Sequence, residues 1–319
     1  MINPFYNSEE QRVRSGWRLL LQIFLVIAAG MLLMLPFSLA GVLDGADQFA
    51  VIPTLITALA ALAGTWGAGR LLDRRGFVDF GHEPVPEQFR ELGFGLLAGL
   101  AAMAIIFALE YSAGWITVTG YGWERPFTGS WVAAFLGFLV VMLLVGYYEE
   151  LVFRGYQILN LSEGLRGTLG SRSAVVLAVA VSSIVFGVLH AWNANATSVS
   201  TFNIVLAGAV LAVPYVVTGR LGWSVGLHIS WNFCQAGIFG FPVSGTSFRG
   251  SLLQIEQGGR DLITGGAFGP EAGLLGILGL LVILSLFYLI RRRSGLPITL
   301  ASKFSGEPLE ATEADEQGS

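Results

Sequence analysis

Eight apolar runs of bilayer-spanning length follow one another along the chain, near 17–41, 49–70, 92–114, 131–153, 174–190, 202–218, 221–241 and 272–290. A helix of about 20 apolar residues crosses the hydrocarbon of a membrane. The pattern therefore predicts an all-α, polytopic membrane bundle of about eight transmembrane helices. Short alternating segments, the mark of a membrane β-barrel, do not occur. The run at 17–41 is too long for a signal-peptide core and reads as a retained first span. Polar residues 1–16 precede it as an N-terminal tail, and 17–293 form a single transmembrane domain. The segment 294–319 is a polar, acidic cytoplasmic tail of disordered composition. Between spans, 71–91 is a polar connector, and 242–271 is an external, mobile loop rich in Gly and Ser. Glycines within spans (Gly93, Gly95, Gly99; Gly273, Gly276, Gly279) suit close helix packing.

Composition agrees with a membrane-embedded chain. The mean hydropathy is +0.66, and only 13% of the 319 residues are charged, against about 25% in soluble domains. The net charge of −4 is carried by the C-terminal tail (Glu307, Glu310, Glu313, Asp315, Glu316), and no basic run points to nucleic acid. Placement of Arg and Lys sets the orientation. With the N-terminus inside, 15 of the 18 basic residues, Arg154 among them, fall in inner segments, and only Arg125, Arg249 and Arg260 fall outside. The positive-inside rule then puts both termini in the cytoplasm. Trp115, Trp123 and Trp131 form an outer interfacial belt, with Glu110 near the same interface. The single cysteine, Cys234, rules out an intrachain disulfide and any cysteine-rich metal site.

Against this background the stretch Gly146-Tyr-Tyr-Glu149-Glu150-Leu-Val-Phe-Arg154 stands out, because charges within a bilayer are costly and face protein or water. On a helix Glu150 and Arg154 are four residues apart, about 40° around the axis, and can pair. Glu149 lies about 100° from its neighbour and has no such partner. One carboxylate thus reads as an anchor and the other as free for chemistry. Two histidines lie in the apolar bulk: His190, ending Phe186-Gly-Val-Leu-His190, and His228, four residues before Asn232 on the same helix face. The third, His82, sits in the polar connector. Trp192 and Trp231 flank these motifs as packing residues or groove walls.

Brought together inside the membrane, these side chains could activate water, with a carboxylate as its base. The alternative is zinc held by Glu149 or Glu150 with His190 and His228, leaving a fourth position for water. No His-Glu-x-x-His motif supports it. Depth is an obstacle for either reading. Measured from Ser173, His190 lies about 25 Å up a straight helix, His228 only about 12 Å above Arg220, and Glu149 near the inner end of its span. Convergence requires a tilted or low-starting fifth span, or a deeper Glu149. The expected meeting place is a water-filled, cytosol-facing cavity.

The order Glu-Glu-x-x-x-Arg, Phe-x-x-x-His, His-x-x-x-Asn over about 140–235 resembles the CPBP family, also called Abi or type II CAAX prenyl endopeptidases. All three patterns are complete: Glu149, Glu150 and Arg154; Phe186 and His190; His228 and Asn232. The resemblance implies an intramembrane endopeptidase acting on membrane-associated peptides, prenylated or otherwise lipid-modified. It implies water activated by Glu149 and His190, and an oxyanion stabilised by His228 and Asn232. Glu150 belongs to the same site, and Arg154 and Phe186 support it. Many members are classed as metalloproteases, which keeps zinc on His190, His228 and Glu149 in view. The implied partners are the lipid bilayer and a lipidated peptide, in the plasma membrane if the source is bacterial. Two competing readings remain. One is a silent membrane scaffold of the same family. The other is a proton-coupled transporter, which lacks the inverted repeat such proteins show.

Overall fold

The computed structural model describes residues 3–8, 10–46, 49–124 and 129–305; Arg125 and the acidic tail residues from Glu307 onward lie outside them. Among the described residues eight helices make the bundle: α1 Ser15–Leu39, α2 Val51–Asp73, α3 Pro86–Ser112, α4 Trp131–Leu169, α5 Ser171–Trp192, α6 Ser198–Thr218, α7 Gly222–Asn232 and α8 Leu274–Arg293. Seven of these, all but α7, are long and apolar enough to cross a membrane. The seventh helix is shorter, continues in a wide-turned segment Phe233–Ile238, and has all but its last residue buried inside the bundle. An apolar helix enclosed by protein needs less length than one facing lipid, because its neighbours complete the span. The chain is a polytopic, all-α integral membrane protein.

Local chemistry marks the helix ends. Pro86 occupies the first turn of α3, where a missing N–H costs nothing. A reciprocal capping box between Thr197 and Ser200 starts α6, and Gly219, at φ +75°, ends it. Helix α7 is held against α3 by two glycine pairs at four-residue spacing, Gly95 and Gly99 on α3, Gly222 and Gly226 on α7. A Cβ at any of the four would overlap a facing atom: Trp223 O, Ser230 Oγ, Gln88 O or Leu92 O. Backbone-to-backbone approach of this kind is how membrane helices gain packing energy. Gly93, one residue pair away, meets nothing within 4 Å. Gly226→Val is therefore expected to destabilise the protein by about 1–3 kcal/mol or more through overpacking, whereas Gly93→Ala is neutral. Thermal melts of both variants in one detergent check the contrast, and equal melting would refute it.

The largest departure from hydropathy concerns α4. The apolar run ends near 153, but the helix continues to Leu169 through a π-helical stretch, Glu150–Ile158. Its polar end is tied down by ion pairs: Glu163 bonds Arg75 at 2.5 Å and lies 3.3 Å from Arg12, while Arg18 pairs with buried Asp73. Arg220 pairs with Glu91 at 2.5 Å. These basic residues gather at the end read as cytoplasmic. Arg154 does not join them; it is buried within the span, so the inner-segment count loses one residue.

The connector and tail are also tied in. His82 packs between Phe77 and Tyr147, outside the site described below, and burial lowers its pKa. The tail expected to start at 294 is held as far as Ser305, with Ala301 N–H on Val216 O (2.9 Å), Phe304 buried under Tyr215, and Lys303 Nζ on Gly219 O (2.7 Å). At the opposite end, the loop read as mobile contributes strand β4, Leu253–Gln257, antiparallel to β3, Ile116–Tyr121. A two-residue pair, β1 Tyr6–Asn7 and β2 Arg12–Val13, precedes α1. Glu110, fully buried, accepts Gln257 Nε2 at 2.7 Å and fixes the β3–β4 ribbon to α3. Trp123 stacks on Tyr121 and meets Trp131 edge-on at this end, while Trp131 Nε1 donates to Gly250 O.

Candidate active site

The extension of α4 resolves the depth obstacle. From the turn at Gly170, Glu149 lies 21 residues back along α4 and His190 20 residues on along α5, or about 31 and 30 Å at helical rise. The two are level because α4 runs on past its apolar stretch to the same turn from which α5 climbs. Tyr215 Oη on Gly155 O (3.1 Å) then brings α6 beside α4. Leu221, at the start of α7, faces Gly155, which lifts His228 to the height of Glu149. Gly146 makes the approach possible, since a Cβ there would press on Ile229 of α7.

Glu150 is wholly enclosed and works as an anchor. Its Oε1 accepts Arg154 Nη1 at 3.0 Å and His228 Nδ1 at 2.7 Å. Arg154 spends a second nitrogen on Gly208 O (3.1 Å) and lies 4.5 Å over the ring of Phe186. The π-helical turn makes room for this arrangement at the one place in α4 where a guanidinium must fold inward. The sequence-derived split between the two carboxylates is thus seen in their contacts. Glu149 is only lightly held, with Tyr148 Oη at 3.4 Å on Oε1, and its Oε2 has no hydrogen-bond partner and lies 3.7 Å from His228 Nε2.

Both histidines are oriented through Nδ1. A carbonyl only accepts, so His190 donates Nδ1–H to Phe186 O at 2.7 Å. His228 donates its own Nδ1–H to the Glu150 carboxylate. Both rings line a common cavity of about 430 Å³, together with Glu149 and Asn232. That volume falls within the roughly 300–1,000 Å³ of small-ligand pockets and far exceeds the roughly 30 Å³ share of one water. A gap of 3.7 Å between Glu149 and His228 suits a bridging water better than a direct bond.

Among the described residues no three His, Cys, Asp or Glu side chains come together as a metal-ligand set. The expected zinc trio of His190, His228 and Glu149 shares the cavity without closing to coordination geometry, so the residues present do not fit that ion.

Sequence reasoning placed seven residues at this site, and all seven are in it or directly behind it. It missed Tyr148, Asn193, Asn203, Ser244 and Glu271, which also line the cavity. Asn193 sits in the short non-helical link after α5, as backbone at that depth requires. Of the two flanking tryptophans, Trp231 lines the cavity and Trp192 is exposed.

Residues 131–234 match the model of the family described as Type II CAAX prenyl endopeptidase Rce1-like. The match takes in every motif residue from Glu149 to Asn232, so the resemblance read from the three patterns holds over this region. No curated protein and no solved structure matches the chain.

Proposed function

We propose that this chain, whose residues 131–234 carry the CAAX-protease family pattern, is an intramembrane endopeptidase cleaving membrane-associated, lipid-modified or hydrophobic peptides. The single observation behind the reading is the open Oε2 of Glu149, buried, unbonded and 3.7 Å from an imidazole nitrogen whose far side is fixed by Glu150. Water lodged between them donates one proton to Glu149 as its oxygen bonds to the substrate carbonyl carbon. Glu149 then passes that proton to the leaving nitrogen as the C–N bond breaks. A carboxylate that takes and returns one proton suffices for amide hydrolysis, provided the oxyanion has donors.

Asn232 offers amide N–H groups to that oxyanion. His228 adds a second donor when it carries a proton, its positive charge balanced by Glu150. His190, fixed on Phe186 O, presents Nε2 to the same water and orients it. Ser244 and Glu271, from the end of the bundle opposite the basic residues, line the cavity, so water enters from that end and not from the cytosol-facing side that the sequence suggested.

Purified protein with a prenylated or hydrophobic reporter peptide tests the assignment: cleavage is expected, and no turnover under any condition would leave the scaffold or transporter readings. Added chelator is expected to leave the rate unchanged, since the ligand trio does not close. Loss of activity on chelation, restored by zinc, would overturn the metal-free mechanism.

A further inference from the structure

The mechanism leaves one cavity-lining acid unused. Glu271 sits in the turn Pro270–Ala272 just ahead of α8, only 7% exposed, outside the three motifs and outside the family match. Its Oε2 accepts Ser244 N–H at 2.9 Å, and Gln235 of the wide-turned end of α7, which donates Nε2 to Pro242 O at 2.6 Å, lies beside it. The wall around it is rigid. Asn195 Nδ2 donates to Gly245 O (2.9 Å), and Gly245 N–H to Phe268 O (2.9 Å). A Cβ at Gly245 would overlap Ala194 O, so the two loops are locked together there. Beside Glu271 the lining is Ser244, Asn193 and Asn203, and Asn203 has committed Nδ2 to Gly273 O (3.1 Å), leaving its amide oxygen as the free polar atom.

The charge balance of the cavity is one-sided. Among the described residues, Glu149 and Glu271 line it together with the imidazoles of His190 and His228, and no Lys or Arg does; Arg154 lies behind the wall, committed to Glu150. A buried carboxylate without a protein counter-ion is satisfied by a proton or by a cation from outside. We infer that Glu271 is a specificity-determining residue, which with Asn203 and Asn193 seats an ammonium or guanidinium group of the peptide substrate. The same wall disfavours a carboxylate. This rests on the protease reading and names the kind of peptide it takes: one with a basic residue close to the scissile bond and no acidic residue at that position.

Burial pushes the Glu271 carboxyl up to about 7, and His228 on α7 is the titratable group that lowers it. Glu149 shares the cavity, and Asp261 lies on the preceding turn against Gly266. With the pocket empty the carboxyl holds a proton below pH 7. Seating a cation displaces that proton, so the preference for basic peptides strengthens as pH rises from 6 to 8.

The test is a set of quenched peptides in which Lys, Leu or Glu is walked through the positions on either side of the cleaved bond. At one position the wild type is expected to favour Lys over Glu by about tenfold or more in kcat/KM, the worth of one charge-assisted hydrogen bond. Glu271→Gln should bring that ratio within about threefold. An unchanged ratio in Glu271→Gln, or no position with a Lys preference, overturns the inference. Binding of the same peptides to Glu149→Gln protein, read by fluorescence anisotropy, separates the two readings. Selective binding of the Lys peptide without cleavage by wild type would sink the protease and keep the cation site. Equal binding of the Lys and Glu peptides would sink the cation site whether or not cleavage occurs.

Discussion

Glu149→Gln is expected to lower the rate of peptide cleavage by about 10²–10⁴, the contribution of a positioned general base, with little change in thermal stability. The amide has nearly the carboxylate's shape and keeps the contact with Tyr148 Oη, but cannot take a proton from water at Oε2. Initial rates on a reporter peptide, with a melt of the same preparation, check both halves. A variant retaining within about tenfold of wild-type activity would remove Glu149 from the chemistry. A variant that melted early would mean that the residue is structural, and its lack of hydrogen-bond partners on Oε2 argues against that.

Arg154→Met is expected to act in the opposite way, on the fold before the chemistry. It strips the guanidinium from a wholly buried Glu150, and breaking one half of an enclosed ion pair costs about 3–5 kcal/mol. The orphaned carboxylate would then hold His228 alone, at 2.7 Å from Nδ1, and the imidazole would lose its fixed orientation. Arg154→Lys is not a conservative rescue, because one ammonium cannot reach both Glu150 Oε1 and Gly208 O in the fork geometry used here. The double variant Glu150→Gln with Arg154→Met should regain much of the lost stability, since no charge is left buried without a partner. Thermal melts of the three variants decide it. A single Arg154→Met that melts like wild type would show that the pair contributes nothing to the fold. Two neighbouring glutamates would thus be distinguished by what fails first: turnover for Glu149, folding for the pair anchored by Glu150.

The helices and the three motifs were legible because both depend on local spacing. A run of about twenty apolar residues must be a span, and a four-residue offset must put Glu150 beside Arg154, whatever the rest of the chain does. What escaped depends on the third dimension. Residues 154–169 intersperse four leucines with Gly, Arg, Gln, Asn, Ser and Glu, and hydropathy does not continue the span through such a mixed stretch. A helix standing in water below the bilayer needs no apolar run, and here ion pairs with Arg12 and Arg75 hold it. The wide turn at Glu150–Ile158, which draws Arg154 inward, leaves no mark in composition.

Gly93, Gly95 and Gly99 look alike in sequence, yet only the last two meet α7. Glu271 carried a weak signal, an acid placed just before an apolar run in Gly-Pro-Glu-Ala-Gly, but nothing local says that the residue turns into the cavity. The β3–β4 pairing joins segments more than a hundred residues apart, and Gly- and Ser-rich sequence alone does not announce it. The zinc alternative rested on residue types, and types do not close a coordination sphere.

The equal distances of Glu149 and His190 from the turn at Gly170 make the chain between them a ruler. Removing one residue from either arm would shorten it by about 1.5 Å and swing everything beyond by about 100°. The carboxyl or the ring would then leave the shared chamber, although every motif could still be read in the sequence. In this protein the count of residues separating two signatures is as much a part of the chamber's geometry as the signatures are.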